Sequence, residues 1–201
     1  MQIDMSYEVW QFWSLVVLML FVVIALITDV RQRRIPNALV VAALCVGVLV
    51  NGLGPEAFGR SAGLFTYAPG ALGIKGALLG ALLGMVVFLP FYALSAMGAG
   101  DVKLMASIGS FVGPATLLNL ALFVLLMGGV LSVMRMVWKG NSKEVLGNVG
   151  ATLLPSLSAT GKRFDPATQS TDRMPYVLAV AAGMLTYGAW IYRGHAPLIQ
   201  F

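Results

Sequence analysis

Long runs of apolar residues, separated by short polar or glycine-rich segments, dominate the pattern along this chain. Several runs reach about 20 residues, the length that an α-helix needs to cross roughly 30 Å of hydrocarbon. Long alternating patterns, which are typical of barrel strands, are missing from the sequence. The pattern therefore predicts an all-α, polytopic membrane protein. The six predicted spans are about residues 9–28, 36–53, 74–95, 102–112, 115–138 and 174–192.

Residues 1–201 are interpreted as one membrane-embedded domain. The N-terminal apolar run follows Asp4 and Glu8 instead of a basic segment, which favours a retained first span over a signal peptide. The segment 102–112, ended by Gly113 and Pro114, is too short for a perpendicular crossing. It is either a tilted short span or a half-span.

One predicted span carries a glycine repeat. Gly76, Gly80 and Gly84 recur every four residues, and such a row of small side chains lets another helix approach closely. We interpret these glycines as packing positions.

The distribution of Lys and Arg predicts the orientation, because cytoplasmic loops retain positive charge. With six spans and the N-terminus outside, ten of the 13 basic residues fall on the inner side. Only Arg60, Lys75 and Arg193 fall outside. The inner residues are Arg31, Arg33, Arg34, Lys103, Arg135, Lys139, Lys143, Lys162, Arg163 and Arg173.

The composition agrees with the apolar pattern and limits the partners that we expect for this chain. Hydrophobic residues make up 59% of the chain and charged residues 10%, with a mean hydropathy of +0.87, so the bilayer is the expected surrounding. The net charge of +5 comes from short loops, not from an aromatic-interleaved basic patch, so we expect no nucleic-acid partner. The single cysteine, Cys45, excludes an internal disulfide.

Few side chains are available for catalysis. The only histidine, His195, lies beyond the last predicted span, which excludes a His-Glu-x-x-His metal site and leaves a serine nucleophile without a nearby base. Of the eight acidic residues, only Asp29 and Asp101 fall at membrane depth. We expect no metal and no cofactor.

Two carboxylates that approach each other tend to share a proton, so one acts as an acid and the other as a base. This pair suits peptide hydrolysis through an activated water. Gly98 and Gly100 are expected to allow an unusual backbone before Asp101 and the close approach of a substrate strand. Structural alternatives remain open: Asp29 as an interfacial ion pair, and Asp101 as the cap of a helix that begins at Val102.

The motif Gly98-Ala99-Gly100-Asp101-Val102-Lys103 resembles the Gly-x-Gly-Asp motif of the type IV prepilin peptidases. Asp29, followed by Ile35-Pro36-Asn37, is similar to the first catalytic aspartate of that family. Met174-Pro175-Tyr176 resembles the proline-containing entry to its last span. Thr28 stands before Asp29, where signal peptide peptidases and presenilins have a tyrosine.

The resemblance implies a membrane-embedded aspartic endopeptidase with Asp29 and Asp101 as catalytic residues. Gly98, Gly100, Lys103, Pro36 and Asn37 are then motif or backbone support, although Lys103 alone reads as a topology charge or an ion-pair partner. The implied substrate is a type IV prepilin or pseudopilin with a basic leader and an apolar helix. Cleavage is expected at the cytoplasmic face of the bacterial inner membrane.

The chain lacks the paired Cys-x-x-Cys motifs of the larger bifunctional members, so its compact length resembles the peptidase-only forms of tight-adherence (Flp) pilus systems. N-methylation is therefore not expected. Two other functions remain: a small ion- or proton-coupled transporter that uses the same two aspartates, and a non-catalytic scaffold. The long polar loop 139–173 is either a solvated connector or a cover over the site.

Overall fold

The computed structural model describes residues 5–55, 63–66, 70–94, 97–139 and 175–199 of the chain. No β-strand occurs in these ranges, which confirms the all-helical prediction. Most of the loop 139–173 lies outside the described residues, so the interpretation of that loop stays a prediction. The helices are α1 (Met5–Gln32), α2 (Asn37–Leu53), α3 (Gly73–Ala93), α4 (Ala99–Lys139) and α5 (Tyr176–Tyr192).

The helices have the length and surface of a membrane protein. Stretches within α1, α3 and α4 are long and apolar enough to cross a bilayer, and α2 and α5 are shorter apolar helices of 17 residues each. Large apolar side chains face outward from the bundle, among them Leu82 and Val133, each more than half exposed. Such a surface is stable in contact with lipid, whereas extended apolar patches are unfavourable in contact with water.

The chain reverses direction inside α4, at Gly113. This residue has φ 78° and ψ 174°, outside the helical region. A side-chain atom added to Gly109 would lie 3.1 Å from Leu117, whereas residues eight positions apart in one straight helix are separated by about 12 Å. The predicted break at Gly113 and Pro114 is therefore present. It divides α4 into a first part, residues 99–112, and a second part, residues 114–139.

Asn51 of α2 bonds to the peptide groups at this reversal. Because Pro114 has no N–H, the carbonyl of Ser110 lacks its usual helical donor. The Asn51 side-chain nitrogen donates to the carbonyl oxygens of Ser110 at 2.8 Å and Phe111 at 3.1 Å. Its oxygen accepts from the backbone nitrogen of Leu72, just before α3, at 3.1 Å. One buried amide thus joins α2, α3 and α4.

Close backbone approach joins α3 to the first part of α4. A side chain at Gly80 would overlap the Gly109 carbonyl, and one at Gly84 would come within 2.6 Å of the Met105 carbonyl oxygen. These contacts confirm packing for both glycines. Gly76 instead faces Leu72 beside its own helix. The order of the contacts shows that α3 runs antiparallel to the first part of α4.

Other contacts give the remaining directions. Lys103 contacts Asn37 near the start of α2 and Asn51 contacts Ser110 near its end, so α2 is parallel to the first part of α4. Gly183 lies against Val124, and Gly128 faces Ala179, so α5 is antiparallel to the second part of α4. We call the end of the bundle where α1 ends and α2, α4 and α5 begin the aspartate end. The other is the opposite end.

Two helix ends differ from the prediction. The first span was expected to end before Asp29, but α1 continues to Gln32 and contains it. The fourth span was expected to begin at Val102, but α4 begins at Ala99. Both predicted limits follow loss of apolar character, whereas the helical hydrogen bonds continue through charged and glycine residues into the interface.

Candidate active site

A cavity of about 860 Å³ opens at the aspartate end and is lined by both Asp29 and Asp101. Its wall includes residues from the link between α1 and α2, from both parts of α4 and from the start of α5. The two acids are 72 positions apart in the numbering, and the fold brings them to one cavity. These are the same two acids that the sequence predicts to lie at membrane depth.

Asp29 lies in the last turn of α1 and is 8% exposed. One of its carboxylate oxygens, Oδ2, accepts a hydrogen bond from the backbone nitrogen of Val177 at 3.1 Å. Val177 is the second residue of α5, where helical N–H groups have no partner within the helix and the dipole favours negative charge. The start of α5 therefore holds the Asp29 carboxylate at the cavity.

Asp101 lies in the first turn of α4. Its Oδ2 accepts from the backbone nitrogen of Gly98 at 2.9 Å. This is the reach-back half of a capping box, in which an acid in the first turn bonds the N–H that precedes the helix. The alternative of a capping role is thus partly correct, although the capped helix begins at Ala99.

Gly98 lies beside the Asp101 carboxylate, and Gly100 faces the link between α1 and α2. A side-chain atom at Gly98 would lie 3.3 Å from Oδ2 of Asp101, and one at Gly100 would lie 3.4 Å from the Cβ of Ile35. Neither glycine has a positive φ, so neither adopts the left-handed conformation that favours glycine. The first turn of α4 is ordinary helix, and the glycines let it approach the carboxylate and the link between α1 and α2.

The other support residues divide into two groups. Lys103 donates from Nζ to the side-chain oxygen of Asn37 at 3.1 Å, and both residues line the cavity. This bond ties α4 to the start of α2. Pro36 precedes α2 as its N-cap, with φ −61°, and its carbonyl accepts from Leu39 and Val40. Pro36 shapes the link but is not a lining residue.

Sequence reasoning missed part of the wall. Tyr176, the first residue of α5, lines the cavity, as do Gly128, Gly129 and Ser132 from the second part of α4. Their positions within apolar stretches gave no sign of this location. The proline before Tyr176 was noticed only as the entry to the last span.

The remaining candidate chemistry lies away from the cavity. His195 packs against Trp190 near the C-terminus of α5, at the opposite end, with ring centres 4.3 Å apart. Within the described ranges, no three His, Cys, Asp or Glu side chains come together as a metal site requires.

Comparison with known proteins agrees with the motifs. The model of the type IV leader peptidase family matches residues 16–133, which include both aspartates. A prepilin leader peptidase/N-methyltransferase from Pectobacterium carotovorum subsp. carotovorum is 30% identical over 135 residues. That match covers 66% of this chain and 43% of the relative, so the chain spans less than half of that protein. No solved structure matches the chain.

Proposed function

Because the chain belongs to the type IV leader peptidase family, we propose that it is a membrane-embedded aspartic endopeptidase whose catalytic residues are Asp29 and Asp101. It removes the leader peptide of type IV prepilins or pseudopilins. The observation that carries the proposal is that both carboxylates line one cavity at the aspartate end.

The reaction requires one ionised and one protonated carboxyl group. The ionised aspartate takes a proton from a water molecule as the oxygen of that water attacks the scissile carbonyl. The protonated aspartate donates a hydrogen bond to the developing oxyanion. As the tetrahedral intermediate collapses, the C–N bond breaks and the leaving amine takes a proton from the dyad. The backbone groups of Val177 and Gly98 hold the two carboxylates during these steps.

The cavity wall carries both charged and apolar side chains. Arg33, Arg34 and Lys103 line one part of it, and Val124 and Leu131 of α4 line another. A peptide that leaves water and enters the bilayer at the cleavage site needs both kinds of wall.

The proposed topology has six crossings, the N-terminus outside and the aspartate end in the cytoplasm of a bacterium. Six helical segments that alternate in direction support it, with the two parts of α4 counted separately. Arg31, Arg33, Arg34 and Lys103 lie near the aspartate end, whereas Lys75 and Arg193 lie at the opposite end. That asymmetry follows the positive-inside rule.

The test is cleavage of a cognate prepilin by the purified chain in liposomes. Asp29→Asn and Asp101→Asn, made separately, are each expected to lower the rate at least ~100-fold, the lower range for loss of general acid–base catalysis. Glu8→Gln is the matched control, because it removes an exposed acid from the other end of α1. Cleavage that survives either Asn substitution refutes the dyad.

The same assay separates the peptidase from a transporter or a scaffold, both of which leave prepilin intact. Several buried polar groups between the two ends are engaged by backbone, which supports the peptidase over a transporter. Ser107 donates to the Leu104 carbonyl, Ser110 to Ser107, and Asn51 to Ser110 and Phe111. A proton or ion path would need such groups to face a channel.

A further inference from the structure

We propose that Tyr176 is a third catalytic residue of the cavity, whose phenol donates a hydrogen bond to the scissile carbonyl oxygen as that oxygen becomes an oxyanion. This inference rests on the proposed peptidase function and deepens it. It adds no proton transfer, because the phenol keeps its proton throughout. Tyr176 therefore shares the oxyanion with the protonated aspartate. Unlike the two aspartates, it exchanges no proton with water or the leaving amine.

The hydroxyl of Tyr176 is buried, and it finds no hydrogen-bond partner among the described residues. A buried hydroxyl without a partner costs about 1–3 kcal/mol, and native proteins rarely retain one without a reason. The aromatic ring itself packs against the hydrophobic core, so the side chain has a defined position. The residue also lines the cavity that holds both aspartates. A hydrogen bond made only when substrate is present accounts for these observations together.

The position of Tyr176 links it to both carboxylates. The next residue, Val177, donates its backbone N–H to Asp29. On the other side, the Asp101 carboxylate is close enough to interact electrostatically with the phenol. Tyr176 is thus adjacent in the chain to the group that holds one aspartate, and close in space to the other. Tyr176 and both aspartates therefore line the one cavity in which the proposed attack of water on the carbonyl takes place.

Elsewhere in the chain, Asn51 and Asn119 show what structural polar groups look like here. Both are buried, and both have donor and acceptor atoms engaged by backbone groups. A structural tyrosine hydroxyl is expected to be satisfied in the same way. Tyr176 differs from them in this respect, which favours a role toward substrate over one in the fold.

The experiment compares Tyr176→Phe with wild type in cleavage of a prepilin in liposomes, with kcat and KM measured separately. We expect kcat to fall roughly 100-fold, the usual effect of removing one oxyanion donor, with KM within about twofold. Because Phe removes only an unpartnered hydroxyl, the thermal unfolding midpoint stays equal to wild type or rises. Tyr192→Phe, at a residue 94% exposed at the opposite end, is the matched control and leaves all three values unchanged.

Each other result overturns the inference. A kcat within threefold of wild type shows that the hydroxyl does not act in the transition state. A raised KM with unchanged kcat indicates that Tyr176 binds substrate equally in the ground state and the transition state. A lowered unfolding midpoint, or failure to fold, indicates that its hydroxyl stabilises the fold. Capture of uncleaved precursor by Asp101→Asn, with and without Tyr176→Phe, is expected to be equal, and a loss also indicates a binding role. Wild type that cleaves no prepilin refutes the peptidase itself, an outcome separate from these.

Discussion

Replacing Asn51 by leucine tests how the reversal inside α4 is held. Leucine is close to asparagine in size but offers neither donor nor acceptor. In the wild type the Asn51 side chain reaches two carbonyls beside the break, those of Ser110 and Phe111, and accepts from the Leu72 nitrogen. The substitution leaves all three backbone groups without these partners in the interior, where Asn51 is 1% exposed.

The magnitude follows from these three bonds between segments. Interhelical side-chain hydrogen bonds in membrane proteins contribute about 0.6 kcal/mol on average and up to about 1.7, and stranding a buried backbone group costs about 1–3 kcal/mol. We therefore expect Asn51→Leu to lower the free energy of unfolding by about 2–4 kcal/mol. Pro114 has no N–H to donate to the Ser110 carbonyl, so a local return to regular helix cannot replace that bond.

Unfolding of the purified chain in mixed detergent micelles, followed by helical circular dichroism, measures this change. Asn119→Leu is the matched control: Asn119 is also 1% exposed, but its bonds tie α4 to Ile199 near the C-terminus. Residues 193–199 follow α5 and are not part of any helix, so they can move away from Asn119 into water, and the control is expected to cost less than half as much. If the free energy of unfolding of Asn51→Leu lies within about 0.5 kcal/mol of wild type, the range for substitutions that break no such structural feature, the proposed support is refuted.

Three further predictions use the same unfolding measurement. Gly80→Leu is expected to lower the free energy of unfolding by at least about 2 kcal/mol, because the new side chain overlaps the Gly109 carbonyl. Gly129→Leu is the control, because a side-chain atom added there has no neighbour within 4 Å. Equal losses of stability in the two variants contradict the packing argument. Arg33→Gly should stabilise by up to about 1 kcal/mol, since Arg33 has φ 52°; destabilisation matching that of Arg34→Gly argues against strain. Asp29→Ala should cost about 1 kcal/mol and Asp29→Asn less, because only Asn still accepts from Val177; equal costs exclude this cap.

The sequence predicted the helices well where the chain carries strong boundary signals. Pro36 and Gly54 flank α2, and its predicted and observed limits agree within one residue. At Ala99 the prediction failed, because two glycines read as a turn, while a carboxylate in the first turn supports the helix there.

Some residues of the candidate site could be predicted from the sequence and others could not. Asp29 and Asp101 could be found because an acid at membrane depth is rare enough to stand out. Tyr176 could not, since an aromatic residue at the start of an apolar span is ordinary, and only the fold shows which cavity it lines. The role of Asn51 at the reversal could not be predicted for a related reason. The carbonyls that it bonds lie 59 and 60 residues away, so no local sequence pattern contains both partners.

The capping and catalytic interpretations of the two aspartates are compatible, and the geometry explains how one side chain serves both. A carboxylate has several acceptor positions, so a bond to a backbone N–H is compatible with further hydrogen bonds from the same side chain. Each acid here bonds an N–H at the start of a helix, Asp101 at α4 and Asp29 at α5. Such donors are fixed by the helix and need no reorganisation when charge moves in the reaction. In the proposed dyad, these caps supply the positioning that proton exchange requires, and they use helix ends that already need an acceptor.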